Sequence, residues 1–102
     1  MNRTLTLESL LGIPTPDGVI SNVVKREKQY RKAKNITQKE LARLSNVTYA
    51  SVRRFEEKGE ISFVSLVNIG FALDCLEDFS SLFSKKPYSS IEEIIDDQSN
   101  GE

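Results

Sequence analysis

The chain of 102 residues contains no histidine and a single cysteine, Cys75. Without histidine, catalytic triads built on an imidazole base and the usual zinc sites are excluded. A lone cysteine closes no internal disulfide and anchors no cysteine metal cluster. With no cationic neighbour in sequence, Cys75 reads as a small buried hydrophobe and not as a redox sensor. The carboxylates show no paired arrangement and no nucleophile comes with a base, so no catalytic residue, metal or cofactor is expected and the chain does not read as an enzyme. No apolar run approaches the ~20 residues of a membrane span, and the start lacks the basic-then-apolar plan of a secretory leader. The expectation is a soluble cytoplasmic protein without membrane association, with one domain and one modest core.

Charge is sparse only on balance. The net charge is −1, yet eleven of the cations lie between residues 25 and 58 against four anions there, leaving that segment at +7 and the remainder at −8. Such segregation suits a phosphate-facing surface, although a charge run by itself is more often a solvated face.

The stretch Thr37 to Lys58, TQKELARLSNVTYASVRRFEEK, organises the rest. Thr37 followed by Glu40 forms a capping box that starts a helix, with Leu41, Ala42 and Leu44 as its apolar side. Asn46 tolerates the left-handed backbone of a sharp corner, Val47 plugs the gap, and Thr48 caps a second helix. On that helix Val52 and Phe55 face inward. Tyr49, Ala50, Ser51, Arg53 and Arg54 are left outside. Two short helices crossing through a tight turn make a helix-turn-helix.

Ile36, Thr37, Gln38, Leu41, Ala42, Val47, Thr48, Val52, Phe55 and Glu56 together resemble the Xre (lambda-repressor-like) helix-turn-helix family, over roughly residues 20 to 83. That resemblance implies an all-α, five-helix DNA-binding domain. It also implies that Arg31 ion-pairs with Glu56 near the end of the recognition helix, tying the first helix to the reading one. A narrower likeness runs through Arg53-Arg54-Phe55-Glu56, Gly59-Glu60-Ile61-Ser62, Ser65-Leu66, Leu82-Phe83, Pro87 and Ser90-Ile91-Glu92-Glu93-Ile94. These residues are similar to antitoxins of the HipB type, which bind their operon's promoter and a HipA-like kinase. The resemblance implies a bacterial, nucleoid-associated repressor with two partners, duplex DNA and such a kinase. The N-terminal arm has no counterpart in that pattern. An interaction module lacking an operator and a phage-type repressor remain as alternatives.

The flanks divide the chain into an arm and linker at 1–18, the domain at 19–84 and an acidic tail at 85–102. In the arm Leu5 and Leu7 alternate like a short strand, Leu10 and Leu11 suit a helical turn, and Pro14, Pro16 and Gly18 break regular structure. A first helix is expected from about Val19 to Lys34, with Ile20, Val23, Val24, Tyr30 and Ala33 as its stripe. Lys58-Gly59 reads as a C-cap and Ser62 as the cap of a helix from Phe63 to Leu73 that is apolar nearly all round, hence buried on both sides. Gly70 within it marks a close backbone approach. Cys75 to Phe83 reads as a fifth helix carrying Leu76, Phe79, Leu82 and Phe83. In the tail, Ser90 and Glu93 form a further capping box beside Ile91, Ile94 and Ile95, with five acids. It is a solvated end, a segment that orders on a partner, or a self-inhibitory arm.

If the second helix of the pair enters a major groove, chemistry assigns roles by position. Gln38, at a helix N-terminus, grips a phosphate. Thr48 caps and reaches phosphate. Tyr49, Ala50 and Arg54 read bases: Arg54 a guanine edge, Ala50 a thymine methyl, with Tyr49 equally suited to the sugar-phosphate. Ser51 and Arg53 flank them, Arg53 as a phosphate contact. One small domain buries little surface on DNA, so a homodimer on a pseudo-palindromic operator is expected, paired through the fifth helix with either tail contributing.

Overall fold

The structure, a computed structural model, describes residues 12–86. The expectations for the arm at Leu5, Leu7, Leu10 and Leu11, and for the tail at Ser90, Glu93, Ile91, Ile94 and Ile95, lie outside the described residues. Five α-helices and no strand occur among them: α1 Pro16–Ala33, α2 Gln38–Ser45, α3 Tyr49–Lys58, α4 Phe63–Ala72 and α5 Leu76–Ser80. None of these helices is long and apolar enough to cross a membrane.

Local chemistry sets most of the helix ends. Thr37 Oγ1 accepts from the Glu40 N–H at 3.0 Å while the Thr37 N–H donates to Glu40 Oε1 at 2.8 Å, so both arms of the capping box are made. Thr48 accepts from Ser51 N–H at 3.0 Å and Ser62 from Ser65 N–H at 3.1 Å. Asn46 closes α2 with φ 58°, and Gly59 closes α3 with φ 73°.

The start of α1 differs from expectation. Pro16 and Gly18 do not break the chain; they occupy the first turn, three residues ahead of Val19. Thr15 caps that turn, accepting from Gly18 N–H at 3.1 Å. Proline costs nothing at the first helical position, where no N–H is needed, and Asp17 suits the positive helix end.

The core gathers Leu41 and Ala42 of α2, Val47 of the corner, Val52 of α3, and Ile69 with Leu73 from α4 and its cap. Phe55 is buried as well. Ile36, Ile61, Ala72 and a half-buried Cys75 pack around this centre. Leu44, expected inside, is half exposed, because α2 turns Leu41, Ala42 and Ser45 inward instead. The Ser45 hydroxyl is satisfied there by donating to the Leu41 carbonyl at 2.7 Å.

Three further departures concern which faces are covered. On α1, Ile20, Tyr30 and Ala33 lie exposed, Val23 and Val24 are half-buried, and the buried side chains are Glu27 and Arg31. Helix α4 is covered on one side only: Ile69 and Gly70 are buried, whereas Val64 is 70% and Phe71 66% exposed. Helix α5 ends at Ser80, so Leu82 and Phe83 lie outside it, with Phe83 fully exposed at φ 58°. Ser80 and Ser81 hydroxyls donate to the carbonyls of Glu77 and Asp78, which competes with helix continuation. What α5 does supply is Phe79. Its ring stands edge-on to Phe63 with centroids 6.3 Å apart and lies where a Cβ on Gly70 would sit.

Candidate nucleic-acid interface

Helix α3 is held from behind by one carboxylate. The Arg31 guanidinium on α1 meets Glu56 through two parallel bonds, Nε to Oε2 at 2.8 Å and Nη2 to Oε1 at 2.9 Å, and its Nη1 donates to the Ile36 carbonyl at 3.0 Å. Gln38, the first residue of α2, donates from Nε2 to the same Glu56 Oε1 at 2.9 Å. Glu56 thus fixes α1, the N-terminus of α2 and α3 relative to one another. Burial alone would raise the Glu56 carboxyl, but the hydrogen bonds from Arg31 and Gln38 and the Arg31 charge help hold Glu56 below the usual carboxylate range. The bond to Glu56 in turn pushes Arg31 above its ordinary value against the opposing effect of burial.

The other sequence-derived site residues fall around the outward edge of α3. Tyr49 and Ala50 open the helix, exposed to solvent; Tyr49 retains 39% of its accessible surface. The Tyr49 ring has Lys39 Nζ 5.4 Å from its centroid and Arg53 Cζ at 5.7 Å, so one aromatic ring gathers cations from α2 and α3. Thr48 donates from its hydroxyl to Ser51 Oγ at 2.8 Å while capping, which leaves Ser51 half-buried and engaged. Arg53 reaches Glu57 at 3.4 Å one turn on, and Arg54 pairs with Glu60 beyond the helix end; both pairs are exposed. A shallow groove of about 150 Å³ runs between Ala50, Arg53, Arg54, Glu57 and Lys58. A second, of about 430 Å³, opens at the start of α2 between Arg31, Lys32, Asn35, Ile36, Thr37 and Gln38. Gln38 spends one amide hydrogen on Glu56 and keeps the other for that groove.

Glu27 is the residue that the sequence reading passed over. It is 7% exposed, and neither carboxylate oxygen accepts a hydrogen bond from a donor among the described residues. Burial, then the neighbouring Glu56 carboxylate, push its carboxyl up to about 8, while Arg31 and Lys28 pull the other way. The available signal was register: an acid four residues ahead of Arg31, in line with Val23, inside an otherwise cationic run. Among the described residues no group of three or more cysteine and acidic side chains is placed to hold a metal ion.

The geometry is that of two short helices joined at a left-handed corner, the second propped from behind and open in front. No curated protein and no solved structure matches the chain. A family model described as helix-turn-helix matches residues 28–69, the span from the middle of α1 into α4. Over residues 28–69 the chain is thus similar to helix-turn-helix domains, and the elements among the described residues are all α-helices.

Proposed function

We propose that this protein is a sequence-specific transcriptional repressor that inserts α3 into the major groove of a pseudo-palindromic operator. The observation that carries the reading is the outward edge of α3. Tyr49, Ala50, Arg53 and Arg54 are helical and exposed, inside the cationic segment, while Glu56 on the opposite face is clamped to Arg31 and Gln38. Arg54 and Ala50 read base edges, Tyr49 lies on a base or on the sugar-phosphate, and Ser51 flanks them. Gln38, Thr48 and Arg53 take phosphates. Two copies pair through the apolar surface formed by Val64, Phe71, Leu76 and Leu82, all exposed on α4 and around α5.

The finer reading is an antitoxin that represses its own operon and holds a HipA-like kinase. What supports it is the likeness of residues 53–94 to that group, together with exposed apolar side chains in excess of a monomer's needs. The same side chains favour, as a second reading, an interaction module that docks a protein without an operator.

A gel shift on the duplex upstream of the protein's own gene, with salt varied, separates these readings. A repressor shows affinity that falls steeply with salt and exceeds that for an unrelated duplex. Absent or salt-insensitive binding, beside retention of the neighbouring gene's product, favours the interaction module.

A further inference from the structure

Neither the core nor the reading surface uses the Glu27 carboxyl, yet it is buried within reach of Glu56 and Arg31, the two members of the clamp. Arg31 is spent on Glu56 and on the Ile36 carbonyl, and no donor among the described residues reaches either Glu27 oxygen. An ionised carboxylate in that place would be buried without compensation. A protonated one has an O–H to give, and Glu56 is the acceptor that faces it.

We propose that protonated Glu27 is a positioning residue of the DNA-contacting surface, donating to Glu56 and so setting the carboxylate on which Arg31 and Gln38 converge. The charged groups acting on Glu27 are Glu56 from α3, and Arg31 with Lys28 from its own helix. Helix α2 reaches the cluster only through the neutral Gln38 amide on Glu56. Loss of the Glu27 proton sets two carboxylates against each other behind α3. The Arg31 guanidinium, now attracted by both, no longer holds Glu56 in one place, and Gln38 loses its fixed acceptor. Burial and the neighbouring Glu56 raise the Glu27 carboxyl to about 8, so that loss falls on the alkaline side of neutrality. Operator affinity is therefore tied to pH by a group that never touches DNA. This inference rests on the reading that α3 and Gln38 meet the duplex.

The test compares wild type, Glu27→Gln and Glu27→Leu at constant ionic strength between pH 6 and 9.5. Affinity for the upstream duplex and the thermal midpoint are both followed. Wild-type affinity is expected to drop roughly tenfold across the alkaline half of this range, since at most one proton is linked to binding. Glu27→Gln keeps an N–H donor for Glu56 and cannot ionise, so it should bind like wild type at pH 6 and stay flat above. Glu27→Leu fills the space without a donor and should bind weakly at every pH. A purely structural role would leave leucine equal to glutamine. A wild-type profile shared by Glu27→Gln, or leucine binding as well as glutamine, overturns the proposal. Should no variant bind DNA at any pH, the repressor reading fails instead. The midpoints then decide Glu27 alone: a fall between pH 6 and 8 present in wild type and absent from Glu27→Gln upholds the carboxyl–carboxylate contact, and parallel curves refute it.

Discussion

Arg54 and Glu56 lie two residues apart on α3, and their surroundings give them opposite parts. The Arg54–Glu60 pair is exposed on both sides, a class of contact worth ~0–1 kcal/mol, so a guanine edge competes for that guanidinium at little cost. Arg54→Ala is accordingly expected to leave the thermal midpoint nearly unchanged while lowering the preference for operator over random duplex by about 1–3 kcal/mol. Binding to both duplexes, titrated side by side, measures it; undiminished preference would remove Arg54 from the reading set. Glu56→Ala takes away a buried partner of Arg31 and should destabilise the domain by about 3–5 kcal/mol in urea titration. The two acids behind α3 also titrate with opposite signs. Glu27 is raised from 4.5 to about 8, so its contribution is complete below pH 4.5 and is lost as pH climbs through 8. Glu56 is held low, so its contribution is present above 4.5 and is lost as pH falls through its depressed value. Wild-type stability between pH 5 and 8 should therefore decline by several kcal/mol, of order 3, and Glu27→Gln should abolish that limb while leaving the acid limb intact. Resemblance alone singled out Arg31 and Glu56. Glu27 was illegible because its meaning lies in a contact across 29 positions of sequence, visible only when α1 and α3 are brought together.

At the scale of elements, what was legible in sequence was whatever three or four neighbouring residues decide. Thr37 with Glu40, Thr48 with Ser51 and Ser62 with Ser65 bond within a single turn, and Asn46 and Gly59 adopt the left-handed conformation their types permit. The start of α1 follows the same logic, since Thr15-Pro16-Asp17 is a cap followed by a first-turn proline and an acid, a role that proline's more familiar action as a breaker obscures. Faces were less legible because coverage depends on distant partners. Leu44 and Phe71 carry the right chemistry for a core but stay about half and two-thirds exposed. Gly59 joins both levels. It needs its positive φ to end α3, and a Cβ there would come within 2.5 Å of Ile20 Cγ2 on α1. Gly59→Ala should thus cost about 1–2 kcal/mol from backbone strain alone. Glycine-to-alanine at an ordinary helix position would go the other way. Thermal melts of Gly59→Ala decide the point, and a midpoint at or above wild type would show the corner tolerates a side chain.

Across the described residues, the arrangement that matters is an exposed edge carrying Lys39, Arg53 and Arg54 on α2 and α3, with exposed apolar side chains on α4 and around α5. On the proposed reading, a chain with net charge −1 would bind duplex DNA through its +7 segment, strengthened by pairing of two copies. The apolar surface offers the means: Val64 and Phe71 lie seven residues apart on one side of α4, with Leu76 and Leu82 following them in the chain. Replacing both by lysine, Val64→Lys with Phe71→Lys, removes apolar area without touching the buried Ile69 or Leu73, so the fold should persist and sedimentation should show monomers. Dimerisation and DNA affinity should then fail together. With about eight phosphates engaged by two subunits, wild-type affinity should fall by ~10³–10⁵ between 50 and 200 mM salt, whereas a monomer engaging half as many should show about half the logarithmic slope. A variant that sediments as a monomer yet retains the full wild-type slope would place the phosphate contacts within one subunit and leave the apolar surface free for another partner.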